Sequence, residues 1–171
     1  IRFQSLTPQG FYSKHVDIKL NDKVCLIHAP MINKNINELY TVDYLGNVVG
    51  GQVINYANVE INDMKRAAIK SIKNEEAVWF GCDVGKMFHG KLGVMDMDLY
   101  DYESIFNTKF LMDKGKRLEY GDSLMTHAML FTGVDLVKGQ STKWRVENSW
   151  GTKPGNKGYY IMSDKWFDEY N

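Results

Sequence analysis

His127-Ala128-Met129-Leu130-Phe131-Thr132-Gly133-Val134, Thr142-Lys143-Trp144-Arg145-Val146-Glu147-Asn148 and Gly158-Tyr159-Tyr160-Ile161-Met162 decide the fold. Each run is short, rich in β-branched and aromatic residues, and bounded by turn chemistry, which predicts three strands. Loops over 135–141 and 151–157 join them. The result is an antiparallel meander of the kind that builds small sheets and barrels. Asp164 is expected to cap a short aromatic segment that follows and runs to Asn171.

The first two strands carry a histidine and an asparagine at matched ends. With Val137 and Lys138 at the middle of the turn, His127 directly faces Asn148. Opposed side chains on one face of a sheet lie ~5 Å apart at Cβ, within reach of an imidazole–amide hydrogen bond. A slip of one residue would send them to opposite faces. Such a pair has a chemical use. A thiol becomes a strong nucleophile when a neighbouring imidazole takes its proton, and that imidazole must be held in one tautomer and one rotation. An Asn oxygen can hold it by accepting from one ring N–H. The same residues also have plain structural readings: a histidine filling a core rim, and an asparagine serving a turn.

Working upstream, Ala77-Val78-Trp79-Phe80-Gly81-Cys82 predicts a strand buried on both faces. Before it, Asn62 is placed to cap a helix over 62–73 with an apolar stripe of Met64, Ala67, Ala68, Ile69 and Ile72. Thr7-Pro8 predicts a capped helix entry ending near Val16. Asn21-Asp22 marks a turn. Lys23 to His28 predicts a strand stopped by Pro30, residues 31–38 a loop, and Tyr40 to Leu45 a weaker strand, with a break at Gly50-Gly51. From Asp83 to Tyr120 the pattern is mixed, with Asp101 to Phe106 helical and Lys109 to Glu119 on the surface. The class is α+β.

Bulk properties bound the function. The 171 residues are 44% apolar and 25% charged with a formal net charge of zero. That is globular chemistry without an electrostatic signature for nucleic acid or a membrane. No apolar run approaches the ~20 residues of a spanning helix, and no leader pattern is visible at Ile1. A partial or processed chain is expected from that start. Cys25 and Cys82 are far apart, which argues against a disulfide framework and mildly for a reducing, cytosolic setting. Both are expected to be core residues. His28 and His89 are isolated, with His89 in a surface loop. No metal-ligand spacing and no phosphate-loop pattern occur, so no metal is expected. Asp83 reads either as cleft lining or as a turn cap.

Longer strings carry a resemblance. Gly121-Asp122-Ser123-Leu124-Met125-Thr126-His127-Ala128-Met129, Lys143 to Gly151 with its Asn148-Ser149-Trp150-Gly151 tetrapeptide, and Gly158-Tyr159 resemble the bleomycin hydrolase family of papain-like cysteine aminopeptidases. So do Leu39 to Leu45 with Val49-Gly50-Gly51, Ala77 to Lys86, and Asp96 to Asp101. The likeness runs from about Leu6 onward and corresponds to the C-terminal half of that family. It implies a papain-like fold, with residues 1–171 as the His- and Asn-bearing portion of a peptidase domain, mainly the β-rich lobe with one or two helices. It implies His127 as general acid/base, Asn148 as its orienting partner, and Trp150 as the indole on the cleft wall beside them. It further implies peptide substrates, the amide of bleomycin-like compounds, no cofactor, closed homohexamers, and a C-terminal arm beyond Asn171 that restricts cutting to free N-termini.

The family's nucleophile is missing. In the family a Gln precedes a Cys-Trp pair by six residues. Six residues after Gln4, Gln9, Gln52 and Gln140 stand Gly10, His15, Asn58 and Val146. Cys25 precedes Leu26 and Cys82 precedes Asp83, so neither begins that motif. The resemblance therefore implies a partner, the helical lobe with its thiol, outside this sequence. Two rivals stand beside this reading. One is a non-catalytic binding or assembly module, whether pseudoenzyme or isolated fragment. The other is an unrelated β interaction domain with accidental matches. Trp144, Trp150, Tyr159, Tyr160 and Trp166 are expected to form core and cleft wall. Were single-stranded nucleic acid bound, these aromatics with Lys138, Lys143, Lys153 and Lys157 would be the place.

Overall fold

A computed structural model describes residues 5–16, 18, 22–46 and 48–171. The expected turn at Asn21-Asp22 falls partly outside these residues. In chain order the elements are α1 (Pro8–His15), β1 (Cys25–Ile27), β2 (Leu39–Tyr40), β3 (Tyr56–Asn58), α2 (Ile61–Lys73), β4 (Val78–Cys82), β5 (Phe88–His89), β6 (Val94–Met95), α3 (Tyr102–Phe106), α4 (Lys114–Glu119), β7 (His127–Val137), β8 (Gln140–Glu147), β9 (Tyr159–Ser163) and α5 (Asp164–Tyr170). Six strands form one sheet in the order β4-β7-β8-β9-β6-β5, and β1-β3-β2 form a second.

The meander is present as β7-β8-β9, antiparallel throughout. Its first turn is tighter than the sequence reading. Val137 pairs with Gln140, leaving only Lys138 and Gly139 between the strands. Both have positive φ, 52° and 84°. That is the geometry whose twist matches a two-residue hairpin, and a glycine adopts it without a Cβ penalty. Along β7, Met129 and Phe131 point inward; along β8, Trp144 and Val146 do, all at most 2% exposed. Phe131 stacks on Phe80 of β4 and touches Trp144 and Phe167 of α5. This aromatic cluster is the core.

The helix α2 lies against β7 and β4. Its start is Ile61, one residue before the expected cap, because Ile61 itself packs on the core. Asn62 therefore sits in the first turn, and Glu60 holds the cap position without a side-chain cap bond. The inward stripe is Ile61, Met64, Lys65, Ala68, Ile69 and Ile72, while Ala67 faces out. Lys65 belongs inside because its ammonium reaches Asp164 at 2.6 Å and Asp168 at 2.5 Å on α5.

Other expectations change with tertiary context. Ser163, not Asp164, caps α5 by accepting from Trp166 N–H. Asp164 instead accepts from Trp144 Nε1 at 3.0 Å. Burial pushes its carboxyl up, but hydrogen bonds from Lys65, Ser141 and Trp144 outweigh that and hold it below its ordinary value. β4 is buried on one face only: it is an edge strand, and Trp79 is 73% exposed on the other side. The strand expected at 40–45 shrinks to Leu39–Tyr40, since Asp43 and Tyr44 turn the chain, Tyr44 with φ 61°. β3 has no clear sequence pattern and forms because Asn58, fully buried, ties it to Ala29 and Asn35 by three side-chain bonds. His89 lies in β5, half-buried, and its Nδ1 accepts from Leu92 N–H. His28 donates through Nδ1 to Val59 O at 2.9 Å, and burial lowers its pKa. Cys25 is exposed, not core, because β1 is an outer strand of the small sheet.

The segment 109–119 is surface only in part. Its second half is α4, whose Lys114 donates to the carbonyls of Asp168 at 2.9 Å and Asn171 at 2.8 Å, at the end of α5. Arg117 pairs with Glu169 alongside. Burial pushes the Lys114 ammonium down to about 8 from 10.5. A lysine whose pKa falls on folding costs stability wherever the unfolded chain would hold it charged and the folded chain strains to. That cost is complete below about pH 8 and vanishes by about pH 10.5. Lys114→Met should therefore show its best stability relative to the parent chain at pH 7. The advantage should shrink by up to about 3 kcal/mol by pH 10.5. Urea unfolding of both chains across that range measures the difference, and a pH-independent gap would contradict the assignment.

Candidate active site

His127 and Asn148 extend the two inward rows of the β7-β8 hairpin to its open end. His127 follows Phe131 and Met129 along β7; Asn148 follows Trp144 and Val146 just past β8. The expected direct opposition is corrected. The turn lies at Lys138-Gly139, and bulges interrupt the ladder between Phe131 and Gly133 and between Asp135 and Leu136. The two bulges cancel, so the turn alone pairs Leu130 with Glu147 and displaces His127 from Asn148 by two residues. A two-residue shift preserves the face, and diagonal neighbours remain within reach of a ring side chain. His127 Nε2 lies 2.8 Å from Asn148 Oδ1.

A second donor fixes the roles. Ser149 N–H also donates to Asn148 Oδ1, at 2.8 Å. A backbone N–H cannot face an amide NH2 productively, so this bond sets which end of Asn148 is oxygen. The imidazole nitrogen facing that oxygen must then carry the proton, and in the neutral ring the lone pair falls on Nδ1. Asn148 is 9% exposed, and its Nδ2 has no partner among the described residues.

Trp150 stands beside the pair. Its ring centroid is 4.8 Å from that of His127 with a 32° tilt. Phe88 and Tyr160 back it at 6.0 and 6.4 Å. Trp150 is 47% exposed, so it shields one flank of the His127–Asn148 bond and shows the other side to the exterior. Trp144, Tyr160 and Trp166 are buried in the core, and Tyr159 lies under the Arg145 guanidinium at 4.0 Å. These rings hold the sheet together and offer no exposed stacking platform.

Cys82 pairs with His127 across β4 and β7 and lies on the same inward face as Phe80. It is 2% exposed, and burial, with the nearby Asp83 charge, pushes its thiol up to about 12. A thiol so protonated packs as a small hydrophobe. Asp83 is buried and caps the loop leading into β7: its Oδ2 accepts from Ser123 Oγ at 3.1 Å and from Leu124 N–H at 3.4 Å. Among the described residues no three His, Cys, Asp or Glu side chains gather as a metal site. Nor, among the described residues, is any helix long and apolar enough to cross a membrane. Sequence reasoning grouped Trp150 with Tyr160 but missed the backing by Phe88, which comes from β5, far upstream in the chain.

The model of the Peptidase C1-like family matches residues 2–171. This chain belongs to the Peptidase C1-like family. Among relatives, aminopeptidase C of Lactococcus lactis subsp. cremoris is 50% identical over 165 residues, covering 96% of this chain and 38% of the relative. Bleomycin hydrolase of Homo sapiens is 52% identical over 171 residues, again covering 96% of this chain and 38% of the relative. The crystal structure of PepW from Lactobacillus rhamnosis HN001 superposes with a TM-score of 0.94 at 51% identity, over 98% of this chain and 38% of that one. The Peptidase C1-like chain thus spans 38% of the length of these relatives and has the α+β architecture of the papain-like peptidases, with a curled half-barrel of strands and few helices.

Proposed function

We propose that residues 1–171 form the His- and Asn-bearing portion of a thiol-dependent aminopeptidase. In this reading His127 is the general acid/base, Asn148 its orienter and Trp150 the cleft wall. The observation that carries it is the Asn148 oxygen shared between Ser149 N–H and His127 Nε2. That arrangement leaves His127 Nδ1 available to a sulfur. Neither cysteine here supplies the sulfur: Cys82 is buried and protonated, and Cys25 stands on the other sheet. The thiol comes from a helical lobe outside this chain.

The chemistry follows from the free nitrogen. Nδ1 takes the thiol proton, and the thiolate forms a bond to the peptide carbonyl carbon while the carbonyl electron pair moves to oxygen. As the tetrahedral adduct collapses, the C–N bond breaks and the imidazolium gives its proton to the leaving amine. A water then attacks the thioester while Nδ1 accepts its proton. The C–S bond breaks, and that proton returns to sulfur. The same steps apply to any amide presented there, including one in a bleomycin-like compound. Substrates with free N-termini, a closed homo-oligomer and a cytosolic setting belong to the same reading.

The test uses the longer polypeptide that carries the thiol, assayed with a free-N-terminus peptide and a thiol-trapping epoxide. Asn148→Ala should lower kcat roughly 10- to 100-fold, as expected when one orienting hydrogen bond is lost, with KM changed by about twofold or less. Epoxide labelling should slow in step. Full labelling and full turnover in Asn148→Ala would reject the assignment. A non-catalytic module would show neither labelling nor turnover in the parent protein.

A further inference from the structure

We infer that Asp83 is a positioning residue for His127, an assignment that rests on the catalytic reading of His127. Asp83 directly follows β4, and its carboxylate is buried at 6% exposure. Such a carboxylate needs hydrogen-bond donors to be tolerated. Those it finds are Ser123 Oγ and Leu124 N–H, in the loop that delivers His127 to the start of β7. Ser123 is itself 3% exposed.

The neighbouring residues of Asp83 grip the same loop. Cys82 O accepts from Thr126 N–H at 2.9 Å, and Val84 N–H donates to Thr126 Oγ1 at 3.3 Å. Asp83 N–H donates to Tyr170 O at 3.0 Å, which anchors the bracket to the end of α5. Cys82, Asp83 and Val84 therefore staple residues 123–126 on the side of His127 away from Asn148. The hairpin fixes one side of the imidazole through the amide oxygen; the bracket fixes the backbone from which the ring springs. Remove the carboxylate and the buried Ser123 hydroxyl and the Leu124 N–H both lose their acceptor, so the segment shifts until they find water. His127 then loses its fixed rotation and its single tautomer.

The test reads the tautomer directly. The longer polypeptide that carries this chain is labelled with 15N-histidine, and its imidazole nitrogens are observed at a pH where the ring is neutral. The parent chain should show a proton resident on His127 Nε2. In Asp83→Ala the Nε2 and Nδ1 signals should move toward each other, and exchange of the Nε2 proton with water should quicken roughly tenfold. Asp83→Asn, which keeps an acceptor, should retain the parent signature. The indole N–H signals of Trp144 and Trp166, each hydrogen-bonded in the core, report whether the fold survives. If Asp83→Ala loses them, Ser123→Ala decides by the same criterion, with a smaller quickening expected. An unchanged His127 signature in a folded Asp83→Ala or Ser123→Ala overturns the inference. A parent chain without the Nε2 proton would instead refute the catalytic reading itself.

Discussion

Replacing His127 with alanine, in the longer polypeptide that supplies the thiol, should lower kcat/KM for a peptide with a free N-terminus by roughly three to four orders of magnitude. Positioned proton transfer contributes about 10²- to 10⁴-fold. In the proposed reading one ring serves twice, first taking the thiol proton and then giving one to the leaving amine. No described side chain stands ready to replace it: Asn148 carries an amide and Trp150 an indole, neither of which exchanges protons near neutral pH. Thiol labelling by an epoxide should collapse together with turnover, because both need the thiolate. The fold should be little affected, since His127 sits at the open end of the hairpin. Turnover within tenfold of the parent would reject His127 as the base, whatever the fate of labelling.

The second large effect is on stability. Trp144→Ala should destabilise the chain by about 3–5 kcal/mol, the usual cost of deleting a buried indole. Trp144 is 1% exposed, and its ring lies 5.1 Å from Phe131 and 4.8 Å from Phe167. Its loss opens a void between the sheet and α5 and leaves Asp164 without the indole N–H. Trp144→Phe refills much of the volume but not the donor, so a smaller loss of about 1–3 kcal/mol is expected. Urea unfolding with unchanged slope measures both. A loss under 1 kcal/mol for Trp144→Ala would mean that α5 does not depend on this contact.

The meander and the face shared by His127 and Asn148 were legible because strand alternation is local and survives an even shift in register. The register itself was not, since it is set by the Lys138-Gly139 turn, whose position obeys tertiary twist more than composition, while the bulges after Phe131 and Asp135 offset each other. Thr7 was readable as a cap and accepts the expected backbone bond; the stretch from Asp101 to Phe106 was readable as helical, with Asp101 as the cap of the helix over 102–106. Asn62 and Asp164 misled because good capping residues also occur in first turns; packing of Ile61 and the cap bond to Ser163 set the true starts. Lys65 and Lys114 look like surface charges in one dimension. Only the arrival of α5, about a hundred residues after Lys65, gives them acidic and carbonyl partners. The Asp83 bracket is hidden for the same reason: its partners are about forty residues away.

The imidazole and its amide clamp sit on adjoining arms of a single hairpin closed by a two-residue turn. They therefore travel as one block. In the proposed enzyme, any hinge-like breathing between this sheet and the body that carries the sulfur alters a single gap, from sulfur to Nδ1, and leaves the proton on Nε2 undisturbed. Such an enzyme could swing open to release product and shut again without having to re-aim its base.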